Sequence, residues 1–334
     1  MNTITKARIK TMNTTASEMN PSRFLYLDYA RSIALFLVVF AHLYSVDSEV
    51  KLYIYAFHMP FFFLVSGFLH KDDNLKHLVT KLSKKLLIPF CVFLFIGYLF
   101  YAIASQSIAL GVILDSIKGV IVGKSIVAND ILWFLLVLFQ VRILGCLTIR
   151  RPFPILFLFG VLFVIFNYFQ LNILYIGTTL MALPFYLYGH YAKEFTRRIA
   201  KSKWAFLLSI CFLLMTGVIS HYNGKVSMMG VNYGKYDVVI LRILFFYING
   251  IVGSYMLMCS VGGVKREKRW FLLPSRCAIS IVGLQVIPIV IWYRTIGFNQ
   301  DYLLSLAYTI LMLILCVLFH LIMEKRANWI FGGK

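Results

Sequence analysis

About ten runs of roughly 17–25 apolar residues divide this chain, each near the length an α-helix needs to cross a bilayer. Such repetition leaves a bundle of membrane-spanning helices as the expected fold, because a continuous apolar run of this length pairs its backbone N–H and C=O groups in lipid within its own helix. The limits fall near 27–46, 52–70, 86–105, 131–149, 153–170, 174–192, 204–221, 238–262, 273–293 and 302–323. The runs at 153–170 and 174–192 are joined so tightly that they must form a hairpin. Residues 106–130 hold only short apolar stretches, Ile108 to Val112 and Val120 to Val122, and read as an interfacial or re-entrant segment. A chain that is 60% hydrophobic and 14% charged lies far from a soluble globular balance.

The net charge of +20 would suggest a nucleic-acid partner only if the cations clustered on a soluble segment, and they do not. They punctuate the apolar runs. With the amino terminus on the cytoplasmic side, 26 of the 33 lysines and arginines fall in cytoplasmic segments, and only Lys51, Lys118, Lys124, Lys225, Lys235, Arg242 and Arg294 fall opposite. That alternation predicts an all-α polytopic integral membrane protein with about ten transmembrane helices and both termini cytoplasmic. Residues 1–22 form a polar tail with Lys6, Arg8 and Lys10 but no apolar core, unlike a cleavable signal peptide. Residues 23–326 form the membrane domain, and 327–334 a short cytoplasmic tail. The six cysteines lie within or beside apolar runs without CxxC or metal-type spacing, so neither a disulfide framework nor a metal site is expected.

Within the first run, Asp28, Arg31 and His42 stand out. Eleven residues make three helical turns plus about 20°, which puts Arg31 and His42 on one face roughly 16 Å apart along the axis. Asp28 and Arg31, three apart, can pair; equally, Arg31 can snorkel to headgroups. An imidazole inside a span is rare and suits proton transfer near neutral pH. His58 follows in Phe57-His58-Met59-Pro60-Phe61-Phe62-Phe63, at a similar depth to His42 across the first hairpin. Pro60 frees the carbonyl of Ala56 one turn back. A solitary buried histidine bonded to a neighbouring helix remains the plainer alternative for His58.

Lys81, Lys84 and Lys85 precede Leu86-Leu87-Ile88-Pro89 and read either as charge anchoring or as a phosphate-binding patch facing Arg31. Trp133, at the outer start of the fourth run, has the place of an interfacial aromatic anchor. The loop 221–237, with Asn232, Tyr233 and Asp237, could recognise a sugar or serve only as a connection. No Gly-rich phosphate loop, GxSxG or metal-spaced set is present, and no acidic residue lies deep in a span.

The run Leu27-Asp28-Tyr29-Ala30-Arg31-Ser32-Ile33-Ala34, with Arg31 followed by ten residues and then His42, resembles the start of the membrane acyltransferase-3 family. The segments His58-Met59-Pro60-Phe61-Phe62-Phe63 and Ser66-Gly67-Phe68 are similar to its short, fucose 4-O-acetylase-like members. The resemblance spans about 23–326. It implies an O-acetyltransferase of a bacterial cytoplasmic membrane, with acetyl-CoA as co-substrate and no bound cofactor. The acceptor it implies is a sugar hydroxyl of a surface glycan, such as O-antigen, capsule or exopolysaccharide, or a lipid-linked precursor.

By the same resemblance His42 is the catalytic histidine and Arg31 its partner on the donor side, with His58 beside them. Lys81, Lys84 and Lys85 stand where the family usually has arginines, Ser32 replaces a common glycine, and Gln285 stands where many members have a histidine. Asp28, Trp133, Asn232, Tyr233 and Asp237 are candidates for acceptor binding. Direct transfer with His42 as general base and an acetyl-histidine intermediate both stay open. So do a carrier or flippase for a lipid-linked sugar, another acyl group, and a small-molecule acceptor.

Overall fold

A computed structural model describes residues 24–45, 48–105, 110–297 and 301–331. The predicted amino-terminal tail, with Lys6, Arg8 and Lys10, lies outside the described residues, as do Arg23 and Lys334. Among the described residues the chain is all-helical, with one isolated bridge between Ser227 and Asn232 and no strand.

Each of the ten apolar runs is helical, and among the described residues eight helices are long and apolar enough to cross a membrane. The first, α1, is Leu25–His42. The second is broken: α2, Glu49–Tyr55, and α3, His58–Phe68, meet at Phe57. Pro60 causes the break, since it cannot donate to Ala56 and its ring crowds that turn. The third begins earlier than the apolar run, at α4, Leu75–Leu82, an amphipathic helix that continues through a π turn, Ser83–Leu87, into α5, Ile88–Ser105. The predicted interfacial stretch contains α6, Leu110–Val122, whose 13 residues are too few to span.

Then follow α7, Trp133–Arg150, and the hairpin of α8, Pro152–Tyr168, with α9, Ile176–Tyr191. These last two, at 17 and 16 residues, lie at the lower edge of spanning length. A short α10, Lys193–Ala200, leads to α11, Ala205–Asn223, and α12, Val239–Ser260. The ninth run is divided into α13, Arg269–Arg276, α14, Ala278–Leu284, and α15, Val286–Thr295; α16, Tyr302–Arg326, closes the bundle. Residues 328–331, within the short tail expected after the membrane domain, form a turn that buries Ile330 and sets the Phe331 and His320 ring centroids 4.2 Å apart.

The burial pattern is that of a protein in lipid. Phe153, Ile103, Ile240 and Leu303 are each more than three-quarters exposed, and α8 has no buried residue. The interior is formed by α1, α3, α7, α9 and α12, with α3 and α9 in the closest contact. Gly67 of α3 lies on the Tyr186 backbone and Gly189 of α9 on that of Leu64, so two bare Cα positions let the helices touch.

Candidate active site

The Arg31 end of α1 is held by the segment around α13. Tyr29 donates to the Arg266 carbonyl at 3.1 Å and accepts from the Lys268 N–H at 2.8 Å, and the Ser275 N–H donates to Ser32 Oγ at 3.1 Å. At the other end Tyr293 of α15 donates to the His42 carbonyl. Both ends of the Arg31–His42 stripe are therefore fixed by side-chain bonds to the carboxy-terminal part of the chain.

Four helices present residues at helical spacing to one path through the bundle. They are Arg31, Leu35, Val38 and His42 on α1; His58, Met59, Phe62, Val65 and Ser66 on α3; Trp133, Phe134, Leu138 and Arg142 on α7; and Ala278, Ile279, Val282 and Gln285 along α14. The α1 set runs strictly in steps of three or four, and the others keep that period with a few adjacent pairs, so each set stays on one face. The path widens into two cavities. One, of about 360 Å³, is walled by Arg31, Lys85 and Arg142; the other, of about 110 Å³, by His42, His58, Tyr55, Asp130, Trp133 and Gln285. Leu35, Phe62, Phe134 and Val282 line both, so a cationic chamber and an imidazole chamber lie on either side of one shared apolar wall.

The second chamber holds two differently fixed imidazoles. His58 Nδ1 lies 2.9 Å from the Ile54 carbonyl, which can only accept; Nδ1 therefore carries a proton and the neutral ring keeps its lone pair on Nε2. His42 Nδ1 is 3.1 Å from the Tyr55 hydroxyl, which can give or accept. The Tyr55 ring stands between them, its centroid 5.8 Å from His42 and 4.8 Å from His58. Among the described residues no protein group bonds Nε2 of either ring. His58 therefore has the form a general base needs, with Nδ1–H held and Nε2 free, and His42 has the same form when its Nδ1–H donates to the Tyr55 hydroxyl.

Asp130 enters the chamber from the turn before α7, where Oδ1 accepts from the Ile126 N–H at 3.1 Å. Its neighbour Asn129 donates to the Gly283 carbonyl at 2.8 Å and ties this turn to α14. Gln285 sits between α14 and α15, fully buried, and neither amide atom has a partner among the described residues. An unpaired buried amide atom costs about 1–3 kcal/mol, so this is an expensive residue to keep.

Of the residues expected from sequence, Arg31, Lys85, His42, His58 and Trp133 come together along this path. Asp28 stands outside both cavities, 3.6 Å from Arg31 and 3.5 Å from Ser275 Oγ; it pairs with Arg31 and lines no substrate space. Lys81 turns away to Asp73 at 3.7 Å, where the His77 ring, with the lysine beside it, holds the Asp73 carboxyl below the usual carboxylate range. Lys84 lies in a separate shallow groove with Trp329. Lys84 and Lys85 both lie in the π turn Ser83–Leu87, and of the three lysines only Lys85, itself exposed, lines the cationic chamber.

Asn232, Tyr233 and Asp237 also lie away from the chamber. Asn232 shapes its own loop by accepting from the Gly234 N–H at 3.0 Å, Tyr233 is buried 5.1 Å from the Phe246 ring, and Asp237 is exposed. The same loop reaches the chamber through Val226, Ser227, Met228 and Met229.

Three lining residues escaped the sequence reading. Arg142 was read as topology, although an arginine inside the run Trp133 to Cys146 rather than at its end is itself a signal of function. Tyr55, three residues before His58, carried a helical-spacing signal, whereas Asp130 carried none.

A family model described as an acyltransferase domain, acyltransferase-3, matches residues 24–321. No curated protein and no solved structure matches the chain.

Proposed function

Because the chain belongs to the membrane acyltransferase-3 family, we propose that it moves an acetyl group from acetyl-CoA to a sugar hydroxyl of a surface glycan or its lipid-linked precursor, in a bacterial cytoplasmic membrane. The observation that carries this reading is the apolar wall shared by the two chambers. One side offers cations to a polyanionic donor and the other offers a base to a hydroxyl acceptor.

In this reading Arg31, Lys85 and Arg142 hold the CoA phosphates, the arginines through forked N–H donors. The linear pantetheine arm passes Leu35, Phe62, Phe134 and Val282, and the thioester emerges beside His42. A sugar hydroxyl entering past Trp133 and Asp130 gives its proton to His42 Nε2 as its oxygen attacks the thioester carbon. The new C–O bond forms, the C–S bond breaks, and the proton passes from the imidazolium to the departing CoA thiolate. General-base assistance of this kind contributes about 10²–10⁴-fold. Donor and acceptor then occupy opposite sides of the membrane, and only the acetyl group changes side.

The test uses everted membrane vesicles containing the protein and its native acceptors, supplied with acetyl-CoA labelled in the acetyl group. Alkali-labile label in the glycan fraction, with equimolar CoA thiol release and loss of both in His42→Ala, is the expected result. Wild-type vesicles that neither label glycan nor release CoA thiol would overturn the reading.

A further inference from the structure

Gln285 is the first polar side chain on the α14 wall after that wall leaves the cationic chamber. Ala278 and Ile279 line the donor side, Val282 lines the shared apolar wall, and Gln285, one turn further, lines the imidazole chamber. Its amide is fully buried, and neither Oε1 nor Nε2 finds a partner among the described residues. Buried polar atoms in folded proteins are nearly always paired, and an exception facing a chamber points to a ligand that completes the pairing.

The backbone keeps the amide in place. Pro288, three residues on, cannot donate to the Leu284 carbonyl, and the helix breaks between α14 and α15 at Gln285 itself. Two anchors flank the break: Asn129 donates to the Gly283 carbonyl at 2.8 Å, and Tyr308 donates to the Pro288 carbonyl at 2.8 Å. A side chain on so braced a segment meets a reacting group without moving first, which is what stabilisation of a developing charge requires.

We propose that the Gln285 side-chain N–H donates to the thioester carbonyl oxygen and stabilises the oxyanion formed on it. This rests on the acyl-transfer reading above. As the acceptor oxygen bonds to the carbonyl carbon, the C=O π pair moves onto oxygen and the proton goes to His42. Gln285 holds that oxygen by a hydrogen bond that shortens as charge builds. The pair then returns, the C–S bond breaks, and the thiolate leaves with the proton from His42. The amide changes neither its protonation nor its covalent state.

The experiment compares wild type, Gln285→Met and Gln285→Glu in everted vesicles with labelled acetyl-CoA, varying its concentration and normalising rates to folded protein by size-exclusion chromatography. Methionine keeps the length without an N–H; glutamate keeps the shape, and its carboxylate offers no N–H, so it carries the test if the methionine variant does not fold. The expected result is a maximal rate lower by about 10²–10³, with KM for acetyl-CoA within about twofold of wild type. A maximal rate within about threefold of wild type, or a loss confined to KM, overturns the role of Gln285 while leaving acyl transfer standing. Wild-type vesicles without any transfer overturn both, so the two failures are told apart by the wild-type lane.

Discussion

The Tyr55 hydroxyl lies 3.1 Å from His42 Nδ1, at the break where the second span turns His58 into the same chamber. With Nδ1–H donated to that hydroxyl, Nε2 of His42 keeps its lone pair for the substrate. Tyr55→Phe keeps the ring between the two imidazoles and removes only that bond, worth about 1 kcal/mol net. The maximal rate of acetyl transfer should fall about five- to tenfold with KM for acetyl-CoA unchanged. Initial rates at saturating donor measure this, and an undiminished rate would show that His42 is oriented without Tyr55.

Arg142 and the two lysines outside its chamber, Lys81 and Lys84, make opposite predictions. Arg142 lines the cationic chamber beside Arg31 and Lys85, whereas Lys81 and Lys84 face away from it. Charge-assisted hydrogen bonds are worth about 1.5–3 kcal/mol, so Arg142→Ala should raise KM for acetyl-CoA about 10- to 150-fold with little change in maximal rate. Lys81→Ala and Lys84→Ala should stay within about twofold of wild type, because exposed cations contribute little. A KM that follows Lys81 or Lys84 rather than Arg142 would move the phosphate site to the outer face of α4.

Much of this site was legible in the sequence, for a physical reason. In a membrane the apolar length of each run sets each helix, and the 3.6-residue period sets which residues share a face, so Arg31, His42 and His58 could be placed together from spacing alone. The lysines could not be sorted, since the π turn that holds Lys84 and Lys85 departs from the 3.6-residue period and composition does not reveal it. Asp130 could not be found either. It reaches the chamber through a turn whose shape depends on Asn129 bonding to Gly283, more than 150 residues away. The loop 221–237, which the sequence left open as a sugar-recognition loop or a connection, lines the chamber through Val226 to Met229 rather than Asn232, Tyr233 or Asp237, because Tyr233 is buried against Phe246.

The contact of α3 with α9 predicts a stability effect that is independent of chemistry. A Cβ added at Gly67 would meet the Tyr186 carbonyl, and one at Gly189 the Leu64 carbonyl; both obstacles are backbone and cannot rotate away. Gly67→Ala and Gly189→Ala should each cost about 1–3 kcal/mol through overpacking. Gly160, on the lipid-facing α8, has nothing within 4 Å of an added Cβ, and Gly160→Ala should be neutral or stabilise by about 0.5–1 kcal/mol. Thermal unfolding of the detergent-purified variants compares the three. Equal midpoints for Gly67→Ala and Gly160→Ala would mean that the two helices have room to separate.

His70, two residues past the end of α3, predicts a pH dependence of stability. Its side chain is 4% exposed, with Nδ1 2.7 Å from the Tyr186 hydroxyl and Nε2 3.5 Å from Asp72. Burial, and after it the neighbouring His190 ring at 5.1 Å, holds the His70 pKa below its ordinary 6.5, while Asp72 pulls the other way and Arg142 adds to the depression. The unfolded chain therefore takes up a proton near pH 6.5 that the folded chain accepts only at lower pH. Stability from this residue is complete above about pH 6.5 and is lost as pH falls from there toward the folded value. The unfolding midpoint in detergent should drop between pH 7.5 and pH 5.5, and His70→Gln, which keeps a hydrogen-bonding group beside Tyr186 but cannot take up a proton, should flatten that drop. Asp72→Asn should steepen it, because the folded state then loses the one carboxylate that favours the charged ring. Identical pH slopes in wild type and His70→Gln would assign the acid sensitivity to another group.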